Sequence, residues 1–425
     1  MSQAGASGPD DVPGGDVFGE VPLFREIQRV LRASGGPVNW ELARQVGIAT
    51  ADFGRPDPAP SEDDRRTLAE TVRAAELAVA DLTGLPSAPE VVEVRAVRRA
   101  QWVEESIRGL ADLIDPIAAR LQAAMGELAG GAGGLGLPGL PPGFAPPGFG
   151  PLPGFGPLPE GGEAAGGPPG GAMAGQLLSA IGPLLMGVQV GTVLGTLGQR
   201  VFTQYDLAVP RPGSTLLFVL PNIAPFERDW SLPTVELRGW LALHEVTHRL
   251  SFARPWVRGH VVGLVRDLAE HAEIDLAGLQ QTIEAVDPSN PESMQEALRR
   301  VGNLLGEAGT DEQRLRIARL RAFVAAAEGY GDHVTEALAD RMLRSHAQIR
   351  EALLRHREGR HSEQALADLF GLEISDEHHR LGRAFCETVA ESAGEATLVR
   401  MWDSSEAMPS MPELEEPRLW LARTA

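Results

Sequence analysis

The chain of 425 residues has no lysine, one cysteine and few aromatic residues. The lone cysteine, Cys386, can form no intramolecular disulfide and cannot build a cysteine-rich zinc knuckle. Because aromatic residues make up only 5% of the chain, a hydrophobic core must consist mainly of Leu, Val, Ala and Ile. Hydrophobic residues still reach 43% and charged residues 23%, which is typical of a folded globular protein.

Positive charge is scarce, since 38 basic residues, all of them arginine, are outnumbered by 58 acidic ones and the formal net charge is −20. Binding to a nucleic-acid backbone requires clustered positive charge, so nucleic acid is an unsuitable partner. An anionic membrane surface is unsuitable for the same reason. Residues 1–22 have neither a basic start nor an apolar stretch, so they do not resemble a secretory signal and we expect a cytoplasmic protein.

Composition divides the chain into five parts. Residues 1–20 are rich in Gly, Asp and Pro and are expected to be disordered. Residues 21–128 form a helical region without evident chemistry. The Gly/Pro-rich tract at 129–175 is expected to be a flexible insert. Residues 176–410 are expected to form the domain that carries the chemistry, and 411–425 a C-terminal tail.

The periodicity of the apolar residues predicts a mainly α-helical fold with a small β element. Ser61 followed by three acidic residues is typical of a helix start. The apolar run 214–220 is followed by Pro-Asn and predicts a strand. Its edge around Phe218–Leu220 could hold an extended substrate by strand addition. Helices are predicted at 61–85, 91–121, 237–252, 256–268, 275–286, 291–307, 311–330 and 332–356.

Residues 177–198 contain no charged side chain, which by length alone would suit a membrane span. Gly187, Gly191 and Gly195 are spaced four apart, however, and dilute the hydrophobicity. On a helix they form one smooth face that another backbone can approach closely. A buried helix packed tightly on a neighbour is therefore the favoured interpretation, and a membrane span the alternative.

The segment His244-Glu245-Val246-Thr247-His248 has the H-E-x-x-H pattern. Side chains at positions i and i+4 share one face of a helix, so both imidazoles can reach one zinc ion. Glu245 lies beside them, where it could take a proton from a water molecule on the metal. Two histidines on a helix surface without a metal are the alternative.

A catalytic zinc ion needs a third protein ligand. The metzincin pattern would place Gly and His soon after the second His, but positions 251 and 254 are Ser and Arg. In gluzincins the third ligand is a Glu of a later helix. Glu328 fits this role, and Asp332, one turn on, could accept the N–H of a ligand histidine. The other possible third ligands are His260, Glu270, His271, Glu273 and His333.

Two further side chains could stabilise the oxyanion that forms when a carbonyl is attacked, His333 and Tyr330. Both lie off the face of Glu328 in a regular helix, so each could instead serve packing. Cys386 is expected to be a small buried residue. The remaining histidines stand among charged residues and are expected at the surface: His346, His356, His361, His378 and His379.

Five short segments resemble an actinobacterial family of zincin-like hydrolases, whose members are described as zinc-dependent metalloproteases or as associated with biosynthesis of a deazaflavin coenzyme. The similarity covers roughly residues 20–410 apart from the Gly/Pro tract. The segments that carry it are 189–195 (Gln-Val-Gly-Thr-Val-Leu-Gly), 204–206 (Gln-Tyr-Asp), 219–223 (Val-Leu-Pro-Asn-Ile), 240–248 (Trp-Leu-Ala-Leu-His-Glu-Val-Thr-His) and 328–330 (Glu-Gly-Tyr).

The resemblance implies a mainly helical, zincin-like metallopeptidase domain with His244, His248 and Glu328 on zinc and Glu245 as the general base. Its expected cofactor is Zn²⁺ and its expected partner a peptide or protein substrate. Two hypotheses follow. In the first, water activated by zinc attacks a peptide carbonyl. In the second, the protein keeps the fold for binding or scaffolding and catalyses nothing.

Overall fold

The computed structural model describes residues 36–86, 92–130, 169–274, 310–358 and 376–425. Over these residues the chain is mostly helical with one small sheet, as predicted. The longer elements, in chain order, are α1 Trp40–Asp52, α2 Glu62–Thr83, β1 Glu93–Val97, α3 Arg99–Gly130, α4 Pro169–Gly198, β2 Thr215–Val219, α5 Leu220–Asp229, α6 Thr234–Phe252, α7 Val257–Glu270, α8 Asp311–Met342, α9 His346–Glu358 and α10 Asp376–Ala393.

The C-terminal part continues with short elements that pack on the rest of the fold. They are α11 Glu395–Leu398, a 3₁₀ turn Val399–Trp402, α12 Met411–Glu415 and α13 Pro417–Thr424. Trp420 is fully buried against Phe385 of α10. One hydrophobic core extends from Val38 to Trp420, so the first helices, the motif helix and the C-terminal segment stabilise one another.

The Gly/Pro tract predicted at 129–175 and the predicted disordered residues 1–20 fall largely or wholly outside the described residues, as do the helices predicted at 275–286 and 291–307. Within the tract, residues 169–175 already belong to α4.

The sheet consists of two parallel strands, with Glu93 opposite Thr215 and Val97 opposite Val219. The run 91–121 was predicted as helix throughout, and this is wrong for β1. Residues 92–97 alternate Val, Glu, Val, Arg, Ala and Val, a two-residue period that suits a strand. Its partner lies more than a hundred residues away in sequence.

The predicted strand at 214–220 is present as β2, but its second edge is covered around Phe218, where substrate addition was expected. One side pairs with β1, and on the other side Thr203 forms an antiparallel bridge to Phe218. The N–H of Val219 also donates to the carbonyl of Phe202 at 2.8 Å. Strand addition of a substrate to β2, expected from the sequence, is therefore wrong.

Helix α4 packs its glycine face on α1, as predicted. A Cβ atom added at Gly191 would lie 2.5 Å from the carbonyl oxygen of Ala43. At Gly195 the added atom would lie 2.5 Å from the carbonyl oxygen of Gly47. Among the described residues no helix is long and apolar enough to cross a membrane.

Helix α8 runs unbroken through Gly329 and Gly331, so the predicted division into helices 311–330 and 332–356 is wrong. The chain turns instead at Leu343–Ser345, before α9 begins. Both glycines are sites of close packing. A Cβ atom at Gly329 would lie 2.2 Å from the carbonyl carbon of Gly382 in α10.

Candidate metal centre

The H-E-x-x-H segment lies in the middle of α6, as predicted, and is buried along its whole length. His244 and His248 are one turn apart, and their ring centroids are 4.6 Å from each other. From Trp240 to its end at Phe252, α6 contains no Gly or Pro, so the helix is regular through the motif.

Glu328 of α8 joins the two histidines. One ligand atom from each of His244, His248 and Glu328 lies within 4.8 Å of the others, and all three side chains are buried. Two imidazoles and one carboxylate are a donor set that zinc accepts in catalytic sites. The residues therefore fit a zinc ion, and His244, His248 and Glu328 are the side chains that would hold it.

Helix α8 approaches α6 closely enough because position 331 carries no side chain. A Cβ atom at Gly331 would lie 2.5 Å from Nε2 of His248. Glu328 is three residues earlier on the same buried stretch of α8. The two helices thus bring a carboxylate and an imidazole together through a glycine contact.

Glu245 is fully buried, and its Oε1 accepts a hydrogen bond of 2.9 Å from the backbone N–H of Tyr205. Oε2 has no hydrogen-bonding partner in the described part of the chain. Burial raises the pKa of the Glu245 carboxyl, and contact with His244 opposes this shift. A carboxylate with a raised pKa is a better proton acceptor than one in water.

The segment between α4 and β2, residues 199–214, covers the centre. Besides the bond from Tyr205 to Glu245, the backbone N–H of Ala208 donates to Oε1 of Glu328 at 3.3 Å. The Tyr205 ring lies against His248, with ring centroids 5.8 Å apart. Burial, with the charge of Glu245 adding to it, raises the pKa of Tyr205 to about 12.

Sequence reasoning missed two residues of this covering segment, Tyr205 and Arg211. Tyr205 stood in a segment used for the family resemblance but received no role. Arg211 stands between Pro210 and Pro212, a loop composition that gives no periodic signal. Only the fold shows that the segment lies over the centre.

The structure places His333 and Tyr330 outside the three-ligand group. His333 Nε2 contacts Oε1 of Glu395 at 2.8 Å. Tyr330 is buried against Trp402, with ring centroids 5.6 Å apart. Burial raises the pKa of Tyr330, with Cys386 and Glu395 adding to the shift. Both residues therefore serve the contact of α8 with the C-terminal segment, and their predicted roles toward an oxyanion stay predictions.

Asp332 lies one turn beyond Glu328 on α8. Its negative charge contributes to raising the pKa values of Arg383 and Cys386 in α10. Its predicted contact with a ligand histidine stays a prediction. Cys386 is fully buried, as expected. Burial raises the pKa of its thiol well above the usual value, which makes it unreactive.

The other possible third ligands make different contacts. His260 packs between Trp256 and Phe323, and Nδ1 of His271 lies 3.1 Å from Asp267. Glu270 is exposed, and Glu273 follows the end of α7. Four histidines expected at the surface are instead partly buried, namely His346, His356, His378 and His379. His346 stacks on Trp240 and His356 on Phe202. His361 lies outside the described residues.

Comparison with known proteins agrees with this centre. The profile of the family described as Zincin-like metallopeptidase matches residues 38–421. The chain belongs to this family. A search of the curated proteins found no match.

Among solved structures, the chain is similar to a crystal structure from Chloroflexus aurantiacus, described as that of a candidate hydrolase with a novel fold. The two share 25% identity at a TM-score of 0.59, and the match covers 91% of this chain and 98% of the other. Family membership and this neighbour together support a metallohydrolase. The actinobacterial origin and the link to coenzyme biosynthesis stay predictions.

Proposed function

We propose that the protein is a zinc-dependent peptidase whose metal is held by His244, His248 and Glu328. The observation that carries the proposal is the convergence of these three buried side chains from two helices, with Glu245 next to them on α6. Three protein ligands leave a fourth position for water, which distinguishes a catalytic from a structural zinc site.

Glu245 is the proposed general base. A zinc ion held by His244, His248 and Glu328 would supply Lewis acidity, which makes water more acidic and polarises a carbonyl. The Tyr205 N–H holds Oε1 of Glu245 in place, which leaves Oε2 to accept the proton. After attack on the peptide carbonyl, the same oxygen can deliver that proton to the leaving amine.

Hydrolysis by the Glu245→Gln variant tests the proposed mechanism. Glutamine keeps the shape of the side chain but cannot accept the proton, so we expect zinc content to be retained and turnover of a peptide library to fall by at least about a hundredfold. Glu236→Gln in the same helix is the matched control, since the Glu236 carboxylate accepts a bond from the Ser345 N–H, away from the three candidate ligands. Equal activity of Glu245→Gln and wild type would refute the mechanism.

A second candidate function is a non-catalytic protein of the same fold, and one observation favours it. The segment 199–214 covers the centre, and its N–H groups bond both carboxylates, at Tyr205 and Ala208. A closed centre suits a structural metal that stabilises a scaffold. Stoichiometric zinc together with no hydrolysis of any peptide in the library would favour this function over the first.

A further inference from the structure

Four arginines are buried among the described residues, and Arg211 differs from the other three. Arg238 and Arg249 each contact a carboxylate at 2.9 Å or less. Arg99 donates to Asn222 and to two backbone carbonyls at 2.6 to 2.8 Å and lies 3.9 Å from Asp57. Arg211 forms no ion pair within the part of the chain that the structure describes.

The guanidinium of Arg211 has most of its hydrogen-bonding capacity unused. Nε and Nη1 are buried without a partner in the described residues. Nη2 makes one long bond, 3.5 Å, to the carbonyl of Gln204. The remaining contacts are a stacking of the cation on Trp102, 5.6 Å from the ring centroid, and packing over Gly109. A buried cation needs an anion or several acceptors to compensate for lost hydration.

Arg211 lies close to the residues of the metal centre. Arg211 belongs to the segment 199–214 that covers the centre, and electrostatic attraction links its guanidinium to Tyr205 and Glu245. Tyr205 in turn lies on the ring of His248. Burial lowers the pKa of Arg211 to about 10, so the group stays charged at neutral pH. A buried positive charge that forms no direct ion pair with the described residues is therefore held near Glu245.

We propose that Arg211 binds a carboxylate of the peptide substrate, next to the bond that is cut. This rests on the proposed function. A planar guanidinium matches a carboxylate in charge and geometry. The carboxylate can come from the free C-terminus of the peptide, which would make the protein a carboxypeptidase, or from an acidic side chain.

The test measures binding by calorimetry to the zinc-loaded Glu245→Gln protein, in which hydrolysis is suppressed. Three probes are compared: N-acetyl-Ala-Leu with a free C-terminus, its C-terminal amide, and N-acetyl-Glu-Leu-amide. We expect a probe with a carboxylate to bind about ten- to a hundredfold more tightly than the probe without one. The free acid binding best indicates the C-terminus, and the Glu probe binding best indicates a side chain.

Variants at Arg211 separate this role from a structural one. Arg211→Gln should remove the preference for carboxylates, and Arg211→Lys should restore part of it, since the charge returns without the planar geometry. Arg99→Gln, at the buried and well-bonded arginine, should lower the Tm. Arg211→Gln should not, because it removes a buried charge that forms no ion pair within the described residues.

Equal binding of all three probes, or a preference kept in Arg211→Gln, would overturn the proposal. A fall in Tm for Arg211→Gln as large as that for Arg99→Gln would do so as well, since the protein itself would then be compensating the charge. The wild-type enzyme distinguishes the two proposals. Hydrolysis without a preference for carboxylates would support the peptidase and refute the anion site. Binding that depends on Arg211 but occurs without hydrolysis would support the anion site and refute the peptidase.

Discussion

Gly331 leaves the space that the ring of His248 occupies. A Cβ atom at position 331 would lie 2.5 Å from Nε2 and 2.9 Å from Cε1 of that ring. The contact joins the two helices that supply the candidate ligands, because His248 lies on α6 and Gly331 is three residues beyond Glu328 on α8. The spacing of α6 and α8 at the centre therefore depends on a missing side chain.

Gly331→Ala should weaken zinc binding. The added methyl must displace the His248 ring or separate the helices, and either change moves a ligand. We expect zinc affinity to fall by about tenfold or more, as measured by competition with a chelator. Gly259→Ala on α7 is the control, because a Cβ atom there meets nothing within 4 Å. It should keep zinc affinity and stabilise the helix by up to about 1 kcal/mol. Unchanged affinity in Gly331→Ala would contradict the proposed role of the contact.

Gly191→Ala should destabilise the fold without acting on the metal directly. The new methyl would approach the backbone oxygen of Ala43 to 2.5 Å, which α1 cannot relieve by rotating a side chain. We expect the free energy of unfolding to fall by roughly 1–3 kcal/mol, the usual cost of overpacking. Urea unfolding measures this, with Gly263→Ala on the open face of α7 as the control. Equal stability of the two variants would show that α1 and α4 are not packed as described.

Asp64 should make stability depend on pH in the acidic range. Burial raises its pKa, but hydrogen bonds from Ser61 and Arg238 outweigh this and lower the pKa overall. A depressed pKa stabilises the fold above the unfolded value of about 3.9, and that contribution disappears as pH falls through the folded value. Asp64→Asn should therefore lower the free energy of unfolding at pH 7 by about 1 kcal/mol.

Urea unfolding at pH 7 and at pH 3 tests the sign of this effect. The difference between wild type and Asp64→Asn should shrink at the lower pH. At pH 3 the Asp64 carboxyl of the unfolded wild-type chain is largely protonated, because its pKa is about 3.9, so the unfolded state no longer favours ionisation as it does at pH 7. Asp63→Asn is the control, since Asp63 is exposed and pairs only with Arg66 on the surface. A difference that is equal at both pH values would exclude the ionised form of Asp64 as its source.

Local pattern was enough to predict the motif helix and the glycine face of α4. Both depend on residues spaced four apart, and such residues lie on the same face of a helix. The spacing of Glu328 and Asp332 made Glu328 a candidate ligand, and the family resemblance favoured it over the others. Spacing alone does not distinguish Glu328 from an acidic surface residue. The structure makes the distinction by burying Glu328 opposite α6.

Long-range contacts account for what the sequence did not reveal. β1 was taken for helix because its partner, β2, is remote in the chain. The two glycines indicated either close packing on the motif helix or a break, because glycine lowers helix propensity, and the helix was divided at Gly331. Contacts with Gly382 and His248 show that close packing is what requires Gly329 and Gly331. A role for Arg211 follows only from the fold, in which the segment 199–214 covers the centre.

The zinc content of the purified protein tests the central claim most directly. It should be measured by mass spectrometry of the metal after dialysis, for wild type, His244→Ala and Glu328→Ala, with Glu312→Ala on the exposed first turn of α8 as the control. We predict about one zinc per chain in wild type and in the control, and a loss of most of the metal in the other two variants. Wild-type protein that retains no zinc after loading, or a Glu328→Ala variant that binds it as tightly as wild type, would contradict the account.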